Sequence, residues 1–344
     1  MTNEERFIQA ARTSCEGALA RFFDERRAAL SESPIGRSLL LEEIEALTLR
    51  GGKRLRPILI AAAASAADPS FEIDEAALLY VSIELLQTAL LIHDDIMDED
   101  EIRRGGPSTY ASLRARLGDK KRGDAAAILA GDYAAGIALE ALLPLQASAR
   151  LAGSPEASSR LLSAFSAILE EVYHGQLRDV LGDPDVPTMH LLKTTSYTTL
   201  GPIRLGAIFG GASGELLQAL ERWAISIGEA FQIADDLLGV IGDAEAMGKP
   251  GDDLRDGKKS ALSYAASERG EAEITALYNR EERSEAEIAR LDELLRERGI
   301  IAHTRARIEA LEDEAQETIH KAPMSDEARA LFLSIGARLT RRER

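Results

Sequence analysis

The sequence predicts an all-α protein, one large helical bundle over residues 1–344. Strand signals are scarce, and the chain is rich in Ala, Leu, Glu and Arg, all strong helix formers. Apolar residues recur at three- and four-residue spacing, as in Ala76, Leu79, Ile83, Leu86 and Leu90, or Leu216, Leu220, Trp223 and Ile227. Breaks at Gly51-Gly52, Gly105-Gly106-Pro107, Gly182 to Pro187 and Gly248 to Gly251 carry the turn chemistry between long segments.

In chain order this pattern gives helices over 4–30, 36–49, 55–67, 74–100, 108–117, 124–142, 156–181, 188–211, 214–242, 258–269, 271–280, 283–298, 300–320 and 325–341. No composition break or Pro/Ser-rich linker divides them, so the chain reads as one domain. The longest apolar stretches are Ile58–Ala67 and the region Ile128–Leu145. The first is too short to span a bilayer and the second is interrupted by Asp132 and Glu140, so both read as buried helices of a soluble protein.

With 344 residues and 45% hydrophobic content the chain can bury a large core. Its net charge is −17, from 41 basic and 58 acidic residues, which excludes binding to nucleic acid or anionic membranes through bulk electrostatics. A phosphate-bearing ligand must instead be captured by local basic clusters or by metal ions. The single cysteine, Cys15, cannot form an intrachain disulfide, and a reducing cytoplasm is the expected compartment. The N-terminus has no basic region followed by an apolar run, so no signal peptide is expected.

Two carboxylate clusters end apolar helices. In Leu90–Asp100, Asp94 and Asp98 stand at i and i+4 beside Asp95, on one helix face. Like charges there repel unless a cation bridges them, and hard oxygen ligands suit Mg²⁺ completed by substrate phosphates. In Phe231–Gly239, Asp235 and Asp236 repeat the arrangement, with Asp243 two turns on. Either cluster alone reads equally well as a solvated acidic helix end; their setting inside apolar helices favours function.

Basic pieces accompany them. Gly51-Gly52-Lys53-Arg54-Leu55-Arg56-Pro57 opens a helix, where glycines let backbone approach an anion and the helix start favours negative charge. Arg103 and Arg104 follow the first acidic cluster, Lys193-Thr194-Thr195 lies on a helix, and Lys249 and Lys258 follow the second cluster. Each piece alone is ordinary surface; together they describe a cavity with two metal-binding walls and cations for two diphosphates.

At this point the sequence resembles the trans-type prenyl diphosphate synthases, closest in pattern to geranylgeranyl diphosphate synthases. The matching elements are GGKRLRP at 51–57, LIHDDIMDEDEIRRGGPS at 91–108, GDY at 131–133, GQLRDV at 175–180, KTTSYT at 193–198, FQIADDLLGVIGD at 231–243 and GKPGDDLRDGKKS at 248–260. The resemblance implies a helical bundle of the isoprenoid synthase type with a central active-site cavity, a homodimer, and two or three Mg²⁺ ions. It implies head-to-tail condensation of isopentenyl diphosphate with an allylic diphosphate.

Position by position, it implies that Asp94, Asp95 and Asp98 bind Mg²⁺ on the allylic diphosphate and that Asp235 and Asp236 bind a further ion. Lys53, Arg56 and Arg104, with Gln87 where many members have histidine, match the isopentenyl diphosphate site. Arg103, Lys193, Lys249 and Lys258 match allylic diphosphate contacts, and Thr194 and Gln232 match polar groups near the reacting carbons. The second acidic motif departs from the family's DDxxD pattern, with Gly239 at its fifth position. His93 reads as a packing residue or a support for a neighbouring site residue, not as a catalytic base, because no side-chain base is required. Short-chain relatives place a bulky aromatic four or five residues before the first aspartate; here Leu90 and Ala89 stand there. A product longer than C15 is therefore expected, C20 first and a longer chain second.

Overall fold

The computed structural model describes residues 1–30, 37–148, 150–241, 254–255, 257–280 and 282–341. Among these, apart from one short hairpin, the regular structure is helical: α1 Asn3–Leu30, α2 Arg37–Leu49, α3 Leu55–Ala67, α4 Ala77–Met97, α5 Thr109–Leu117, α6 Lys120–Glu140 and α7 Pro155–Val180. There follow α8 Val186–His190, a π-helix Leu191–Leu200, α9 Gly201–Phe209, α10 Gly214–Ile241 and α11 Ala261–Glu268. The chain closes with α12 Ala272–Tyr278, α13 Glu285–Glu297, α14 Ile300–Lys321 and α15 Asp326–Thr340.

The all-α expectation holds, and most boundaries fall within a few residues. Three differences have local causes. The 74–100 segment opens as a 3₁₀ turn, Ile73–Ala76, and stops at Met97, with Asp98 as C-cap and Glu99 at φ 55°. Beyond it Ile102–Arg103 pairs antiparallel with Gly106–Pro107, a hairpin the helical periodicity did not show. The helix expected from 124 begins at Lys120, because Asp119 caps it by accepting from the Arg122 N–H at 2.8 Å.

The packing falls into two compact units, one of residues 1–163 with 205–212 and one of residues 164–204 with 213–344. In the first, α4 is the buried axis: Leu79 to Ala89 are all buried. It packs on α6, whose inward row is small, Ala127, Ala130, Gly131, Ala134 and Ala138, so the two backbones approach closely. The outward row of α6 and the turn after it is apolar too, with Ile128, Leu129, Leu139 and Leu143 exposed. The expectation that 128–145 is simply buried is thus half right: α2, α4 and α5 pack on α6 and leave that row exposed. Two helices, Ile73–Met97 and Lys120–Ala147, are long and apolar enough by composition to cross a membrane, and the first is mostly buried inside the protein.

In the second unit α10 runs against α14, the π-helix and α15. Trp223 stacks edge-on to Phe332 at 4.8 Å, and a continuous core joins Ile233 and Leu237 to Leu262, Leu291, Leu294 and Ile300. Gly228 of α10 lets the π-helix in: a Cβ there would stand 2.5 Å from Thr195 Cγ2.

Candidate active site

In the first unit a buried ion pair fixes the basic loop. Arg54 adopts φ 51° just before α3, donates to Glu84 Oε2 at 2.5 Å and reaches the Thr48 carbonyl at 2.9 Å. With Arg54 turned inward, Lys53 is exposed and Arg56 half-buried. Arg104 closes on the same loop from the hairpin, donating to the carbonyls of Leu47 at 3.3 Å and Gly51 at 3.2 Å. Burial pushes the Arg104 pKa down, opposed by Glu84, with Arg54, Arg56 and Arg103 pushing the same way as burial. Gln87 is buried one turn along α4 from Glu84, and its Oε1 has no hydrogen-bond partner among the described residues. Either end of that amide can face a ligand.

The next hairpin residue serves the acidic cluster. Arg103 Nε donates to Asp95 Oδ1 at 2.5 Å, while its Nη2 lies 3.2 Å from Asp100 and 3.8 Å from Asp94. Arg50 holds the hairpin itself, donating to the carbonyls of Arg103 at 3.2 Å and Pro107 at 2.8 Å. Asp95 is 0% exposed, and burial raises its pKa to about 6 against the pull of Arg103. Its Oδ2 is buried without a hydrogen-bond partner among the described residues. Asp94 and Asp98 stand one turn apart at the end of α4, the first half-buried and the second exposed. An unpaired buried oxygen beside two hard carboxylates fits a small dication that keeps waters or phosphate oxygens as its other ligands. Among the described residues no three acidic or histidine groups form a closed metal cage by themselves. His93 packs on α6, its Nε2 3.2 Å from the Ile128 carbonyl and 3.6 Å from Asp132 Oδ1.

In the second unit the expected residues sit on the π-helix, α10 and the start of α11. Lys193 Nζ pairs with Asp179 Oδ2 of α7. Gly175, one turn earlier, meets the backbone of Lys193 so closely that any Cβ would overlap it. Thr194 is half-buried beside it. The extra residue per turn of the π-helix, a geometry common at functional sites, was not visible in the 188–211 periodicity. On α10, Gln232 and Asp235 are half-buried and Asp236 is buried. Asp236 Oδ1 accepts from Gln232 Nε2 at 2.8 Å, and Oδ2 accepts from the Ala261 N–H at 2.7 Å. His190 Nε2 lies 3.4 Å from Asp236 Oδ2. Lys258 is exposed three residues before α11. Lys249 and Asp243 lie outside the described residues.

Sequence reasoning passed over Arg54, Asp179 and His190. A charged Glu84 in the middle of an apolar helix was the available signal for the first, since a buried charge needs a partner. The acidic residue of GQLRDV was the signal for the second. Nothing local marked the third.

The polyprenyl synthetase family profile matches residues 37–296. A geranylfarnesyl diphosphate synthase of Aeropyrum pernix is 35% identical over 286 residues, 80% of this chain and 85% of that protein. A geranylgeranyl diphosphate synthase of Saccharolobus solfataricus is 30% identical over 303 residues, 84% of this chain and 86% of that one. The crystal structure of geranylgeranyl pyrophosphate synthase from Corynebacterium glutamicum, complexed with isoprenyl diphosphate and magnesium, superposes with a TM-score of 0.85 at 30% identity. That match covers 99% of this chain and 100% of the other. Fold and residue sets together define the class, an all-α prenyltransferase. The chain belongs to the polyprenyl synthetase family.

Proposed function

We propose that this chain condenses isopentenyl diphosphate head-to-tail with an allylic diphosphate and releases a linear prenyl diphosphate, geranylgeranyl diphosphate first. The observation that carries it is the hairpin: consecutive residues Arg103 and Arg104 serve two neighbouring sets, the carboxylates of α4 and the GGKRLRP loop. A reaction between two diphosphates calls for two adjacent anion sites of this kind. A terpene cyclase or head-to-head synthase would have no use for the loop.

In this reading Lys53, Arg56, Arg104 and Gln87 hold isopentenyl diphosphate, and Arg103, Lys193, Lys249 and Lys258 hold the allylic diphosphate. Asp94, Asp95, Asp98 and α10's acidic pair are the metal-facing groups. Bound Mg²⁺, two or three ions, supplies Lewis-acid neutralisation of diphosphate charge. The Lys and Arg side chains stabilise the charge that grows on the departing diphosphate. The oxygens of Thr194 and Gln232 face the allylic cation without competing as strong nucleophiles. The isopentenyl double bond then attacks, and the proton lost passes to the released diphosphate.

Names of the relatives favour a C20 or C25 product over C15. The exposed apolar row Ile128, Leu129, Leu139 and Leu143 supports a homodimer joined through α6, with the whole chain acting as one catalytic domain in the cytoplasm. The test is to purify the chain alone and size the dephosphorylated product of a Mg²⁺-containing assay. Condensation to C20, abolished by EDTA and by Asp94→Ala or Asp98→Ala, is expected; no condensation without a second protein would make it a noncatalytic subunit.

A further inference from the structure

The segment that carries Lys258 is held by a buried arginine distant in sequence. Arg283 stands just before the cap of α13 and is 9% exposed. Its Nε donates to the Leu277 carbonyl at 2.8 Å and its Nη2 to the Tyr278 carbonyl at 2.5 Å. The guanidinium therefore closes the last turn of α12, where helix carbonyls lack internal partners and a cation is favoured. Its Nη1 donates to the Arg255 carbonyl at 3.0 Å. One planar fork thus joins the end of α12 to the stretch just before Lys258. Gly257 lies against the same fork. Its backbone is left-handed, at φ 64°, and any Cβ there would overlap the guanidinium.

Neighbouring contacts extend the anchor. Leu254 is buried in one core cluster with Leu262 and Leu277. Arg255 Nη1 pairs with Glu285 Oε1 of α13 at 2.6 Å. Lys259 Nζ donates at 2.5 Å to Oδ1 of Asn279, the C-cap of α12. Of two adjacent lysines, one is turned onto the end of α12, and Lys258 is exposed. The chain on both sides of Lys258 is gripped by the same helix end.

We propose that Arg283 is a positioning residue that sets Lys258 for the allylic diphosphate, an inference that rests on the role given to that lysine above. A lysine side chain is long and flexible, so its ammonium is well placed only where its backbone is fixed. Arg283 supplies that fixity because a guanidinium donates in several set directions at once. A single nitrogen at 283 cannot span the carbonyls of α12 and of Arg255 together.

The test uses the full chain with Arg283→Lys, Gly257→Ala and Lys258→Ala, singly and with each of the first two paired with the third. KM is measured for both substrates, and thermal unfolding is recorded for every variant. Lys258→Ala should raise the allylic KM about tenfold, the loss of one charged hydrogen bond. Arg283→Lys and Gly257→Ala should each raise it about fivefold, with the isopentenyl diphosphate KM within about twofold of wild type. On the Lys258→Ala background neither should add more than about 1.5-fold, because the lysine they misplace is gone. A general loss of packing would instead affect both substrates and persist on that background. Such a persistent loss, or a wild-type allylic KM in either folded single variant, would overturn the proposal. If Arg283→Lys does not fold, Gly257→Ala decides it alone. A wild-type allylic KM in Lys258→Ala would remove the role of the lysine itself and the proposal with it, whereas the other adverse outcomes leave that role standing.

Discussion

Arg54 Nη1 meets Glu84 Oε2 at 2.5 Å with both side chains shut off from water, 2% and 5% exposed. That pair sets the backbone from which Lys53 and Arg56 project. Removing one partner strands the other charge in the interior, a change that costs on the order of 3–5 kcal/mol. Arg54→Leu should therefore lower the urea midpoint sharply. A midpoint within error of wild type would show that the pair is not what holds the loop.

Lys53, on the loop closed by Arg104, and Arg56, in the first turn of α3, stand apart from the carboxylates that Arg103 serves. Lys53→Ala and Arg56→Ala should each raise the KM for isopentenyl diphosphate about tenfold or more, with the allylic KM little changed. Full two-substrate kinetics check this, and an equal rise for both substrates would argue against separate anion sites.

Burial lowers the His190 pKa from 6.5 to about 4, with Asp179 and Glu229 opposing and Lys258 and Lys193 reinforcing. Between these values the unfolded chain binds the extra proton, so stability rises with pH through this window. Acidification from pH 6.5 to 4 should remove up to about 3 kcal/mol through this group, with no further loss from it below pH 4. Urea titrations at pH 7 and pH 4.5 measure the difference. His190→Gln should shrink it, and an identical acid loss in the variant would assign the effect to other groups.

Ala89 is 1% exposed, whereas Leu90 beside it is half-buried. One helical residue is about 1.5 Å of rise, placing Ala89 roughly 7 Å below Asp94 along α4. Ala89→Phe is expected to shift the main product toward C15 with thermal stability nearly unchanged, because the ring fills the space the prenyl tail would take. Product sizing and a melting curve together decide it. An unchanged product with a fall of several degrees would mean that the methyl packs in the core and the ring overfills it.

The helices were legible because periodicity and glycine breaks are local signals, and α3 and α10 start where the sequence puts them. The acidic and basic motifs were legible for the same reason. What stayed hidden depends on partners distant in sequence. The π-helical winding of 191–200 accompanies the fit of Gly228 against Thr195, and Thr199 donates to the Ala224 carbonyl at 2.8 Å. The pairing of Arg54 with Glu84, and of Asp236 with Ala261, needs the packing of α4 and α11 before it can be seen.

Helix α7 touches Lys193 twice, through the bare backbone at Gly175 and through the carboxylate of Asp179. The placement of one lysine is thus governed by a neighbouring helix. Anyone diversifying this enzyme for new chain lengths should hold 175 and 179 constant. A library that varies them would lose members to a displaced lysine and score them as failures of the pocket.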